Sequence, residues 1–465
     1  MILRKLAVPI SLLVVLFGLT SCGGNGSSSA QNLGNVTPGI ASSTLFSIGD
    51  APSDKIVSFE VTINSVALTD ANGASVTILN RAFRIELTHL AASFVPVANL
   101  SVPQGTYNKV TVTFSNPEVV LLNPDGTTVK REPPITNGTT SAALNPNLVV
   151  GVAATALSLD VNVAQSVTFD AAGNATVSPA ITVGSGAAAP AQNKAENGKI
   201  EDTRGTVATV AADSFTINVN DGAQTLTFKV DANTQFHDIA GLSALKQGMQ
   251  VEVNGNLQLD GSMLATSVEA EGEDGENEQE MRNAMELEGL IVNASGTPTN
   301  SISIVARDVS SSSNNSPSLG STIDVALDSN TRFDVKSKNL TLTSLPFTPT
   351  FDQNSITKGQ NVEVDADSLA TSPVPARKIS LREQSITGVA SAIQSGTVRS
   401  FTLTVPSDSA FAMLTGSTTV AVYQVTATEL KDIPAVTEGA TIRVRGLLFL
   451  DGSTLRLVAI RISKP

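Results

Sequence analysis

Few side chains in this 465-residue chain are suited to chemistry, and their placement narrows what they can do. There is one cysteine, Cys22, and there are two histidines, His89 and His237. A lone thiol closes no disulfide within the chain, so any chemistry at Cys22 is that of a nucleophile. His89 follows Leu87-Thr88 where a strand pattern ends, and His237 follows Phe236 at the end of another. They fall in different segments, so neither a His-based triad nor a His/Cys zinc site is expected. No Gly-x-Ser-x-Gly elbow, P-loop or dinucleotide fingerprint is present. The densest carboxylate set runs from Glu269 to Glu288, nine acids against the single base Arg282. Hard cations such as calcium take clustered carboxylate oxygens, which makes Glu271, Glu273, Asp274 and Glu276 candidate metal ligands. The run lacks the Asp-x-Asp-x-Asp-Gly loop of a dedicated site. An acidic stretch between β-rich segments reads first as a solvated linker, helical from Gln279 to Leu287. Carboxylate pairs for glycoside hydrolysis meet only in space and stay open. The absence of Trp counts against a sugar-stacking cleft. No cofactor is expected.

The segment around Cys22 is the sharpest motif. Arg4 and Lys5 precede an apolar stretch from Leu6 to Leu19, and Leu19-Thr20-Ser21-Cys22 ends it. About 14 residues is short of the roughly 20 that a membrane-spanning helix needs, and the pattern is that of a secretory signal. This looks like a bacterial lipoprotein signal peptide with its lipobox. The alternative is an ordinary signal peptide with a cysteine near its cut. The resemblance implies a thioether-linked diacylglyceryl group on Cys22 and cleavage before it. At about 0.8 kcal/mol per buried CH₂, two or three chains hold a protein firmly on a membrane. Gly23, where an aspartate would retain the protein at the inner membrane, implies outer-membrane localisation. Gly23 to about Ser43 is rich in Gly, Ser and Asn and should be a flexible tether.

Cleavage would remove Arg4 and Lys5 and take the formal charge from −13 to −15. An acidic surface argues against nucleic acid and against anionic lipid as a peripheral partner. No second long apolar run follows, so the body is expected to be soluble. Thr, Ser, Val and Ala dominate, with only Tyr107 and Tyr423 as tyrosines. Short alternating runs of such residues are the composition of an all-β secreted protein.

From Ser43 to Val183 strand patterns follow one another. Val57, Phe59, Val61 and Ile63 alternate with polar residues, as do Phe83, Ile85 and Leu87, and Val110, Val112 and Phe114. Asn72-Gly73 and Asp125-Gly126 read as turns. Seven or more short strands predict a β-sandwich. Ile48-Gly49-Asp50-Ala51-Pro52 and Val102-Pro103-Gln104-Gly105-Thr106-Tyr107 resemble the Asp-Ala-Pro and Pro-x-Gly-x-Tyr motifs of domain-of-unknown-function family 4382, common in bacterial lipoproteins. The resemblance carries no activity. Asp50 could be a ligand, though a turn aspartate before Pro52 is the plainer reading.

After a linker from Gly184 to Gly198 the chain repeats itself three times, imperfectly. Each unit opens on a glycine in a short strand, Gly205, Gly289 and Gly388. Each later has a glycine three positions before an apolar-x-apolar strand: Gly248 before Val251-Glu252-Val253, Gly359 before Val362-Glu363-Val364, Gly439 before Ile442-Arg443-Val444. The first two share Val230-Asp231…Thr234 and Leu327-Asp328…Thr331, and the first and third share a hairpin through Asp260-Gly261 and Asp451-Gly452. The second departs, with Asp365-Ala366 and then Pro373 and Pro375. Spacings of 84 and 99 residues between the opening glycines are too long for a solenoid repeat and suit small closed β-domains. A Lys-x-Gly turn entering a Val-x-Val strand resembles domain-of-unknown-function family 5666. A five-stranded barrel similar to the OB-fold is expected for each unit. The few aromatics and acidic surround do not suit single-strand nucleic acid.

The expected organisation is all-β: signal peptide 1–21, tether 22–42, β-sandwich 43–183, linker 184–198, β-module 199–270, acidic linker 271–286, β-module 287–383 and β-module 384–465. The expected function is a lipid-anchored envelope protein, leaning non-enzymatic, that serves as a binding or structural scaffold. Its partners would be the membrane, through the lipid, and an envelope or extracellular ligand. A secreted carboxylate-dependent hydrolase and a calcium-responsive adhesin are the alternatives.

Overall fold

The structure, a computed structural model, describes residues 41–465 apart from 52, 124, 220, 221, 223, 271–284, 310–316 and 338–339. The described residues are mostly strand with very little helix, as their β-branched alternation favours. Among the described residues no helix is long and apolar enough to cross a membrane.

The N-terminal part is two facing sheets. One has the strand order Ile181–Ala187, Thr155–Asn162, Ala41–Ala51, Phe94–Pro103, with Ala41–Ala51 parallel to Thr155–Asn162. The other is built on the long antiparallel pair Ile56–Asp70 and Gly105–Leu122, which collect the shorter strands around them. Phe46, Ile48, Phe59, Val61, Ile63, Val112, Phe114 and Leu159 fill the space between. Tyr107 folds back over Gly105 and donates its hydroxyl to the Pro103 carbonyl at 2.8 Å, which accounts for that motif as packing. One residue departs from the expected alternation. A register shift between Ile56 and Ser58 turns Val57 out of this core and into a seam with Leu290 and Val305. The strand Ile181–Ala187 stays in register with Thr155–Asn162 to its end, so the sheet continues past Val183.

The three repeats share one topology. In the first, Lys199–Val210 pairs antiparallel with Ser214–Val219 and with Gln250–Leu257. Gln224–Lys229 pairs with the second strand, Met263–Ala270 with the fourth, and a parallel contact between these two closes the ring. In the last, Gln384–Gln394, Arg399–Thr404, Thr419–Lys431, Thr454–Ser463 and Thr441–Asp451 form a closed barrel in the same order. This is the five-stranded barrel expected from the repeat. The middle unit keeps the order, but its fifth strand is broken into Val374–Pro375 and Lys378–Arg382. Pro375 donates no ladder hydrogen bond, and Ala366 stands where the other units have Gly255 and Gly446.

The repeated glycines are explained atom by atom. The amides of Gly248, Gly359 and Gly439 donate to the carbonyls of Val207, Ile291 and Ala390, each two residues beyond an opening glycine. All three turn glycines have positive φ, 91°, 88° and 77°, which favours glycine. At the opening glycines the second strand crosses closely. A Cβ on Gly289 would lie 2.1 Å from the Val305 carbonyl oxygen. Gly289→Ala should therefore cost about 1–3 kcal/mol, read as a lower urea midpoint, and an unchanged midpoint would contradict so close a crossing.

The units are fused. The core of the middle barrel includes Val425, Leu447, Phe449 and Val458 of the last. That of the first barrel includes Leu45, Ala154 and Ala156 of the sandwich. Val57, Leu290, Val305, Ala410 and Leu414 join sandwich, middle and last barrels in one seam.

Candidate functional site

The four units meet around a polar cavity of about 1200 Å³. The strands that line it alternate apolar and charged residues. Their apolar faces fill the barrels, so the charged faces are left to meet one another.

Arg204 precedes the opening glycine of the first barrel and reaches into the middle one. Its guanidinium lies 2.6 Å from Glu363, 2.9 Å from Glu288 and 3.3 Å from Asp308, with Glu252 of its own barrel at 3.6 Å. Arg382, on the last strand of the middle barrel, returns the contact to Glu252 at 2.9 Å. The two arginines thus share three carboxylates across one barrel interface. Burial opposes ionisation of Glu363, but Arg204 and Arg382 outweigh it and hold its pKa down to about 2. Arg445 of the last barrel pairs with Asp202 of the first at 2.6 Å and with Glu383 at 2.5 Å. Arg461 ties Glu201 to Glu429, and Lys336 pairs with Glu269.

The sandwich contributes the other wall. Glu86 accepts backbone N–H bonds from Phe59 and His89 and the Thr88 hydroxyl at 2.6 Å. His89 Nδ1 lies 3.1 Å from Glu86. Burial works against a charged His89, but Glu86, Asp308 and Glu288 outweigh it and raise its pKa to about 9. Beneath them Arg307, from the middle barrel, donates from Nε to the Val57 carbonyl at 2.7 Å. At the rim Arg84 binds Glu60 and Glu118, and Lys130 binds Glu118 and the Leu319 carbonyl.

The residues singled out from sequence are placed as follows. His89 lines the cavity, while His237 is exposed on the short strand Gln235–His237 and does not. Asp50 ends Ala41–Ala51 as a buried carboxylate that accepts the Ala92 N–H at 2.9 Å. Ala91 and Ala92 both have positive φ, so Asp50 caps a left-handed turn. Burial, the nearby Asp160 and Glu86 raise its pKa to about 7 against the pull of that hydrogen bond and of Arg443. Asp54 accepts the Thr387 N–H and borders a separate cavity of about 60 Å³, room for a water or two. Cys22 and the candidate ligands Glu271, Glu273, Asp274 and Glu276 lie outside the described residues. Among the described residues no group of three or more His, Cys, Asp or Glu is placed to hold a metal ion.

Comparison with known proteins now fits this architecture. Residues 42–179, the two-sheet sandwich, match the family model of a domain of unknown function, DUF4382. Residues 204–269, the first barrel, match that of a second domain of unknown function, DUF5666. The chain carries a DUF4382 domain followed by a DUF5666 domain. No curated protein matches it. Among solved structures, drosophila Unr CSD456 is similar at 12% identity over 56% of this chain and 96% of that chain, with a TM-score of 0.13, which is too low to bear on fold or function. In the DUF4382 domain, Gly49-Asp50 and Gly105-Thr106-Tyr107 serve packing and capping. Its cavity residues Glu86 and His89 lie outside those motifs.

Sequence reasoning missed the charged junction. It also missed a third copy of one repeat device. The Thr234, Thr331 and Thr428 hydroxyls donate to the carbonyls of Ala265, Ala376 and Ala459 in the three units. Only the aspartate accompanying the first two made them visible in sequence.

Proposed function

We propose that this chain is a lipid-anchored cell-envelope protein, attached at the outer membrane through Cys22, that serves as a non-enzymatic binding or structural scaffold. The observation that carries the scaffold reading is the mutual pairing of the junction charges. Arg204 and Arg382 converge on Glu252, Glu288 and Glu363. A hydrolytic general acid needs a carboxyl whose pKa is raised toward the working pH. Glu363 is held the other way, by two guanidiniums that oppose protonation. The carboxyls with raised pKa, Asp50, Asp54, Asp160 and Asp365, do not line the large cavity, and the cavity that Asp54 borders is too small for a sugar or peptide. Charges spent on each other hold four units rigidly, as a display or docking frame requires.

The lipobox supports the address. Cys22→Ser should abolish incorporation of radioactive palmitate and leave the described body folded by circular dichroism. Label retained on that variant would overturn the anchor. The scaffold reading is tested by profiling the mature protein on glycan and peptide-ester libraries. No turnover is expected, and turnover lost on replacing one Asp or Glu would overturn it.

A further inference from the structure

We propose that the end of the body formed by Val149, Val152 and Leu259 rests on the lipid surface, so that the protein lies against its membrane instead of hanging free on its tether. The inference deepens the reading above and rests on the anchor at Cys22.

Val152, Val149 and Leu259 are the most exposed large apolar side chains in the described body, at 93%, 62% and 60%. They come from two units and meet at one place. Val149 and Val152 flank Gly151 where the strand Thr139–Val150 ends. Leu259 stands in the turn between Gln250–Leu257 and Met263–Ala270 of the first barrel. The Ala154 N–H donates to the Leu259 carbonyl at 3.0 Å and joins the two turns. A lone exposed apolar residue means little, but one near a strand end and two on the joined turns beside it form a patch.

The described chain begins at the same end. Ser42 donates its hydroxyl to the Gly151 carbonyl, and Gly261 packs on Ser43. Ala41 stands 19 residues after Cys22. A chain of that length reaches at most about 65 Å. This end is therefore the part of the body held nearest the bilayer. Tethering makes the contact intramolecular, so a patch too small to bind membrane alone can bind when anchored. Charge favours the same orientation. Asp260 is the only charged residue in the turns 151–154 and 258–262, and it is paired with Lys229 at 3.4 Å. The acidic remainder of the surface is repelled by anionic lipid.

The test uses the full lipidated chain in vesicles of phosphatidylethanolamine and phosphatidylglycerol. With Cys22 lipidated, Val152→Cys supplies a single thiol for an environment-sensitive fluorophore, and Val389→Cys on the last barrel supplies the control. On floated vesicles, lipids nitroxide-labelled on the acyl chain should quench the probe at 152 at least threefold more than the probe at 389. Equal quenching in a chain that floats would overturn the membrane contact and leave the anchor standing. A probe at 152 shielded from aqueous iodide yet unquenched by labelled lipid would place a second copy of the chain there and would also overturn it. A chain that does not float would overturn the anchor and this placement together.

Discussion

Arg382→Met should lower the stability of the body by about 3–5 kcal/mol, the cost of removing one partner from a buried ion pair. Arg382 has only 5% of its side chain exposed, and it faces Glu252, Glu288 and Glu363, which are buried as deeply. Its loss leaves Arg204 as the remaining guanidinium of the pair facing the three carboxylates, with Asn361 on Glu288 and Lys336 and Lys378 acting on Glu363 from farther off. Methionine fills much of the same volume, so the loss would report charge more than packing. Two further measurements separate these contributions. Adding Glu252→Gln should recover part of the stability, because the carboxylate that lost its closest guanidinium contact would then be neutral. High salt should change the effect little, since buried pairs are poorly screened. A comparison is built into the molecule. Lys55 and Asp408 also pair, but both are more than half exposed, and Lys55→Met should be nearly silent. An Arg382→Met chain with the wild-type guanidinium midpoint would mean that the junction is not what locks the barrels together.

The sequence disclosed the barrels and concealed this junction, for one physical reason. A barrel is specified locally. Gly289 is required because the Val305 carbonyl crosses its Cα, and Gly359 because a turn there needs positive φ. Such requirements recur at fixed spacing and can be read along one strand. The junction is specified by what the barrels bury against each other. Glu252 between Val251 and Val253, and Glu363 between Val362 and Val364, are the polar half of an ordinary alternation, which by itself does not say what they face. Both are buried. Arg204 and Glu363 are 159 residues apart, and no periodicity relates them. A partial signal was present. The same strand position carries an acid at Glu252 and Glu363 and a base at Arg443, with Arg445 two residues on where the others have Asn254 and Asp365, and such complementary signs suit barrels that face one another. The sandwich shows the same division. Its Pro-x-Gly-x-Tyr motif was legible because Tyr107 closes on its own turn, whereas His89 and Glu86 acquire a role only when Arg307 arrives from the middle barrel.

Asp50→Asn should gain on the wild type as the pH rises, by up to about 4 kcal/mol between pH 3.5 and pH 8, the linkage value of a shift of roughly three pH units. The pKa of Asp50 is raised from 3.8 to about 7, chiefly by burial. Below 3.8 the folded and unfolded chains both hold the proton, and Asp50 costs nothing. As the pH climbs toward 7 the unfolded chain releases its proton while the folded chain retains it, so stability falls throughout that window. Above 7 both are ionised and the loss is constant. Asparagine keeps an acceptor for the Ala92 N–H and has nothing to titrate, so the difference between the two proteins isolates this one group. Glu363 moves the other way. Its pKa is depressed to about 2, so its contribution is complete above about 4.5 and is lost as the pH falls toward 2. Acid should therefore loosen the barrel junction, while neutral pH burdens the sandwich at the end of its first strand. The expected stability profile has its maximum on the acidic side of neutrality, and Asp50→Asn should move that maximum upward. Thermal melts of both proteins from pH 3.5 to pH 8 would show it. A constant difference between the two melting temperatures across that range would mean that Asp50 ionises like an exposed carboxylate and that its burial at the Ala92 turn does not hold its proton.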